Sequence, residues 1–149
     1  EIFKIFKHPN FNDTTRQNDI AVLELKTPAV LNAHVDLIPL ASKMDNLFTC
    51  YLPTALVAGW GFTEPNNSHV PLLQQLIISP IENGAPCTRV YDEFDADTMI
   101  CAIPIDTNRQ GVCFGDYGGP LMKRSLNGVV YQYGVIFETD GETCTGADP

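Results

Sequence analysis

Six consecutive residues, Gly115-Asp116-Tyr117-Gly118-Gly119-Pro120, place a carboxylate and a phenol among three glycines. Glycines allow a tight, strained loop that other residues resist. The phenol of Tyr117 has an ordinary pKa of about 10 and sits at the end of a rigid ring, so it is a poor nucleophile at neutral pH. A second chemical candidate is Asp19, which stands just before the apolar run Ile20–Leu25. A carboxylate buried there needs a partner, which a histidine N–H would supply; the plainer reading is an aspartate at a strand end. His8, His34 and His69 lie in polar connections and read as surface histidines. No His/Cys cluster has metal-ligand spacing, and no separate glycine loop of phosphate-binding type is present, so neither metal nor cofactor is expected.

The loop resembles the G-D-S-G-G-P nucleophile loop of the trypsin/chymotrypsin family of serine proteases, with Tyr117 where the family has serine. Four further segments resemble the family in the same order. Asn18-Asp19-Ile20-Ala21-Val22-Leu23-Glu24-Leu25, preceded by Lys7-His8-Pro9-Asn10-Phe11, is similar to the segment that orients the catalytic histidine. Ala58-Gly59-Trp60-Gly61 is similar to the G-W-G turn, and Thr98-Met99-Ile100-Cys101-Ala102 to the M-I-C-A strand. Gly111-Val112-Cys113-Phe114 leads into the nucleophile loop. Collinear motifs over almost the whole chain make the match specific.

The resemblance implies roles. Asp19 is the orienting acid, and the backbone N–H groups of Gly115 and Tyr117 are the oxyanion donors. Asp116 is the partner of the N-terminus freed by zymogen cleavage. Gly111 falls at the base of the substrate pocket, where an enzyme of trypsin specificity has aspartate. Phe137, Glu138 and Thr139 replace the usual S-W-G strand and impair substrate binding of the usual kind. Cys87 is expected to pair with Cys101, and Cys113 with Cys144. Cys50 is left over: it either bridges to a segment outside this sequence or is a free thiol. The His-bearing segment is expected upstream of Glu1, and the C-terminal strand and helix beyond Pro149.

Removing the triad serine costs about a million-fold in turnover. The resemblance therefore implies a non-catalytic homologue that binds proteins, as a cascade cofactor or an inhibitor decoy. The alternative is an active secreted endopeptidase in which Tyr117 is a variant or an error of sequence. A structural piece with no function of its own is the third reading.

Composition bounds these readings. The chain has 149 residues, 44% of them hydrophobic, enough for a globular core. Net charge is −9, with nine Lys+Arg against eighteen Asp+Glu. Lys123-Arg124 is the one adjacent cationic pair, so nucleic acid is a poor partner. No apolar run approaches the roughly 18 residues of a membrane span. Five cysteines, with sequons at Asn12-Asp13-Thr14 and Asn66-Asn67-Ser68, favour a secreted, extracellular setting.

The elements that must position these residues are short apolar runs broken by Pro, Gly, Asn and Asp. Strands are expected at Ile2–Phe6, Ile20–Leu25, Ala55–Gly59, Leu73–Ile81, Met99–Ile103, Pro120–Arg124 and Val129–Phe137. A short helix is expected at Thr88–Phe94, and a turn-rich loop at Pro65–Ser68. Ile20–Leu25, nearly all apolar, reads as a strand buried on both faces. The pattern predicts an all-β fold. The resemblance refines this to two antiparallel barrels, with residues 1–45 ending the first and 46–149 forming most of the second. The first barrel is left unclosed, with strand edges that invite aggregation.

Overall fold

The computed structural model describes residues 1–42, 54–63, 70–81, 84–105 and 111–137. Among the described residues, seven strands and one short helix follow in chain order: β1 (Ile2–Lys7), β2 (Ala21–Leu25), β3 (Ala55–Gly59), β4 (Gln74–Ile81), α1 (Cys87–Val90), β5 (Cys101–Pro104), β6 (Pro120–Arg124) and β7 (Val130–Val135). These strands pair with one another antiparallel, and an isolated parallel bridge joins Leu40 to Gln132 of β7. The chain divides into two compact units, Glu1–Ile38 and Pro39–Pro149.

The first unit is a two-stranded sheet in which Lys7 faces Ala21 and Ile5 faces Leu23. The apolar run of β2 was expected to be buried on both faces. Instead every residue of β1 and β2 is exposed. A lone pair of strands satisfies only its shared hydrogen-bonding edge, and neither face is covered within this unit. The connection His8–Ile20 is closed by the His8 N–H on Ile20 O (3.1 Å) and the Asn18 amide on Asn10 O (3.1 Å). Arg16 and Asn18 take positive φ values of 56° and 59°. Asparagine tolerates this region better than arginine does; the Arg16 turn is accompanied by a 2.9 Å ion pair to Asp13.

The second unit is built on a five-stranded sheet in the order β5-β4-β3-β6-β7. Alternation along β3 buries Ala55 and Val57, which join Ile78 of β4 and Leu121 of β6 in the core. Val57 lies opposite Leu76 on one side and Leu121 on the other. Val112, Tyr133 and Ile136 pack against this core. The core thus touches both ends of the Gly115–Pro120 loop. The helix is shorter than the expected 88–94. It stops at Tyr91, whose backbone is extended (φ −115°, ψ 108°). Asp95 beyond it holds a local turn, its Oδ1 accepting from Asp97 N at 3.0 Å.

Candidate functional site

The loop between Cys113 and Pro120 is fixed by its backbone. Gly115 and Gly118 have φ values of 96° and 85°, conformations that glycine adopts without a Cβ penalty. The Asp116 N–H donates to Cys113 O (3.0 Å), and the Gly119 N–H to Asp116 O (2.9 Å). The segment after β7 braces the far side. Gly118 N–H donates to Ile136 O (2.7 Å), and Ile136 N–H returns a bond to Gly119 O (2.9 Å).

Asp116 ties this loop to the turn after β3. Its Oδ1 accepts from the Gly61 N–H at 2.8 Å and its Oδ2 from the Cys113 N–H at 3.1 Å. The carboxylate lies in a slot that exists because Gly59 and Gly61 have no side chains. A Cβ on Gly61 would stand 2.5 Å from Asp116 Cγ, and one on Gly59 would stand 2.9 Å from Cγ and closer still to Oδ1. A cleft of about 220 Å³ opens beside it, lined among others by Gly61, Gln75, Gly111, Val112 and Ile136. Asp116 is the charged group among its described lining residues.

Tyr117 is half exposed, at 43%. Its ring meets Phe114 edge-on, with centroids 6.1 Å apart and planes at 84°. Phe114 in turn meets Phe62 at 6.5 Å and 61°. The Phe62 N–H donates to Phe114 O (2.9 Å), a second tie between the two loops. These aromatic contacts were missed in the sequence, although Phe62 and Phe114 adjoin the Gly-Trp-Gly and Gly115–Pro120 motifs. Gly59 and Gly61 stood out as a motif, but their task of admitting a carboxylate did not.

Asp19 lies in the other unit. It is the centre of a three-residue turn, with the Ile20 N–H on Asn18 O at 2.8 Å. It is exposed rather than buried, and among the described residues it has no hydrogen-bond partner. Asn12 is exposed, and its Oδ1 accepts from Thr14 N (2.9 Å) and Thr15 N (3.2 Å). Gly111 lines the cleft beside Asp116, and Phe137 is half-buried just past Ile136. Cys87 and Cys101 form the expected disulfide, with Cα atoms 5.8 Å apart. Cys113 is also disulfide-bonded. Its expected partner Cys144 lies outside the described residues, as do Cys50, Asn66, His69, Glu138, Thr139 and the Pro65–Ser68 loop. Among the described residues, no three of His, Cys, Asp and Glu converge as a metal site.

The family model for trypsin matches residues 1–148. The chain is similar to a trypsin of Xenopus laevis, with 36% identity over 128 residues, which are 85% of this chain and 51% of that protein. It is similar to an anionic trypsin of Bos taurus (35% identity, 85% of this chain, 50% of that protein). A trypsin of Sus scrofa is 34% identical over 85% of this chain and 53% of its own length. The chain spans about half the length of the curated relatives it matches. With the antiparallel sheets and the glycine-built loop at Tyr117, these matches make the chain a member of the trypsin family.

Proposed function

We propose that the protein is a secreted, non-catalytic member of this family that works by binding other proteins, as a cofactor in a proteolytic cascade or a decoy for inhibitors. One observation carries the reading. The loop that would present a nucleophile retains its glycine conformations, its Asp116 anchor and its brace from Ile136, yet holds Tyr117 at the reactive position. A phenol hydroxyl on a ring resting against Phe114 does not replace a small hydroxyl within reach of a base.

In this reading residues 1–45 end the first of two barrels and 46–149 form most of the second. Asp19 is the orienting acid, and the Gly115 and Tyr117 N–H groups are the oxyanion donors. Asp116 receives the ammonium of an N-terminus freed by cleavage. The cleft beside Asp116, with its single described charge, supports that role, because an ammonium entering there meets one carboxylate and apolar or amide walls. Gly111, Phe137, Glu138 and Thr139 shape the substrate pocket, and Thr139 at a glycine position narrows it. Exposure of Asn12, with Oδ1 held by Thr14 N–H, supports it as a glycan acceptor alongside Asn66.

The intact loop also favours the second reading, an active secreted serine endopeptidase in which Tyr117 is a variant or an error of sequence. Labelling of the full-length, proteolytically activated protein with a fluorophosphonate probe separates the two, beside a Tyr117→Ser version. The expected result is labelling of the Ser version alone. Labelling of the protein as it stands refutes the binding reading. Labelling of neither places the loss of catalysis beyond Tyr117.

A further inference from the structure

We propose that Asn127 is a site of spontaneous deamidation, and that the β6–β7 hairpin sets its rate. The chemistry belongs to an asparagine followed by glycine. Gly128 has no side chain to obstruct attack of its own backbone nitrogen on the Asn127 side-chain carbonyl carbon. The Gly128 N–Cγ bond forms, the Cγ–Nδ2 bond breaks, and ammonia leaves. Water then opens the five-membered imide at either carbonyl, giving aspartate or isoaspartate. Water is the only co-reactant, and both Asn127 and Gly128 are exposed to it.

The folded hairpin holds each reacting atom elsewhere. The turn is closed by the Ser125 N–H on Val129 O (2.8 Å). Gly128, with φ of 86°, donates its N–H to Ser125 O at 2.9 Å. The nucleophilic nitrogen is therefore engaged in a backbone hydrogen bond of the turn. Asn127 Oδ1 accepts from the Val129 N–H (3.2 Å) and from the Ser125 hydroxyl. That hydroxyl also reaches Val129 O at 2.9 Å, and its one hydrogen serves one acceptor at a time. Arg124 Nη1 donates to Gly128 O at 3.1 Å. Cyclisation requires the Gly128 nitrogen to leave Ser125 O and the Asn127 side chain to leave Val129 N. The reaction thus proceeds from a locally opened hairpin, whose population controls the rate.

Isoaspartate at 127 would route the main chain through the former side-chain carbons, adding one backbone atom to the turn and one negative charge. The turn sets the pairing of Arg124 with Val130, and β7 leads directly to Ile136, which braces Gly118 and Gly119. The damage therefore reaches the loop that carries Tyr117.

The sequence contains an internal reference, since Asn83-Gly84 is the same dipeptide. The full chain is incubated at mildly alkaline pH, in native buffer and in concentrated urea, and Asp and isoAsp are quantified by peptide mapping with mass spectrometry. In urea, Asn127 and Asn83 are expected to convert at matching rates. In native buffer, Asn127 is expected to slow by about tenfold or more, because the turn must open first. Ser125→Ala should raise the native rate at Asn127 about fivefold, the share of one ordinary hydrogen bond in holding the turn closed, and leave the urea rate unchanged. No conversion at Asn127 in urea overturns the site. Equal native and urea rates in the wild-type chain overturn the control by the hairpin, whatever the variant does. An unchanged rate in a Ser125→Ala chain that is folded by circular dichroism overturns the assigned role of the hydroxyl.

Discussion

Replacing Gly59 with alanine should unseat a carboxylate contributed by the distant loop. The new Cβ would stand 2.9 Å from Asp116 Cγ and nearer to Oδ1, with no room for both. Gly59 has no positive φ, so alanine is not strained by the backbone, and the whole cost comes from Asp116. The carboxylate must leave its slot and surrender the bonds from Gly61 N–H (2.8 Å) and Cys113 N–H (3.1 Å). Bonds to a charged acceptor contribute about 1.5–3 kcal/mol each, and solvent screening at this half-buried site discounts the pair to about 2–4 kcal/mol in all. A loss of about 2–4 kcal/mol follows, which for a domain of this size lowers Tm by about 5–15 °C. Asp116→Ala removes the same two bonds and should cost a similar amount. The double variant should cost no more than either alone, because the second change has nothing left to displace. The assay is a double-mutant cycle by urea or thermal unfolding of the full chain. Coupling of about 2–4 kcal/mol is expected between positions that are distant in sequence. Additivity to within about 0.5 kcal/mol, the behaviour of independent sites, would refute the slot.

Two further outcomes test the sheet and its staple. Leu121→Ala removes a buried side chain that lies between β3 and β7 and packs on Gly134, and should cost about 2–5 kcal/mol by urea unfolding with the m-value unchanged. Changing both Cys87 and Cys101 to serine removes a crosslink between residues 14 apart, worth about 3 kcal/mol in the chain-entropy account. A Tm unchanged from that of the parent would mean that the loop from α1 to β5 is held by its turns alone.

The strands that sequence reading located best are those whose ends are chemically marked. Ala55–Gly59 and Pro120–Arg124 were expected and found at the same residues, each with a glycine or proline at one end and buried side chains on one face. The expected helix runs too far because residues beyond Val90 have an acceptable helical composition, while the backbone turns extended at Tyr91 and Asp95 beyond it bonds local backbone instead. β2 was misread for a different reason. An apolar run reports what a strand can bury, not what is there to bury it, and the residues of Ala21–Leu25 are all exposed in this chain. The Gly115–Pro120 motif was legible as a strained loop from its glycines. The slot for Asp116 was not, since it arises from a contact across 55 residues that no local pattern encodes.

The loop that carries Tyr117 is constrained mainly by groups other than the side chain at 117. Conformation is set by backbone groups and by neighbours: φ at Gly115 and Gly118, the Asp116 carboxylate against Gly61 and Cys113, and the exchange between Ile136 and the two glycines. The side chain at 117 is half exposed and meets Phe114 at its edge, outside the buried cluster of Ala55, Val57, Ile78 and Leu121. Chemistry at this position depends wholly on the side chain, and folding depends mainly on the atoms around it. A loop divided in this way can lose a nucleophile at little cost in stability. The converse holds for Asp116, where the side chain joins two segments of the fold. In the proposed reading it also awaits an incoming ammonium. A change there should disturb both at once, which is why the cycle with Gly59, in which no ammonium takes part, is needed to isolate the structural share.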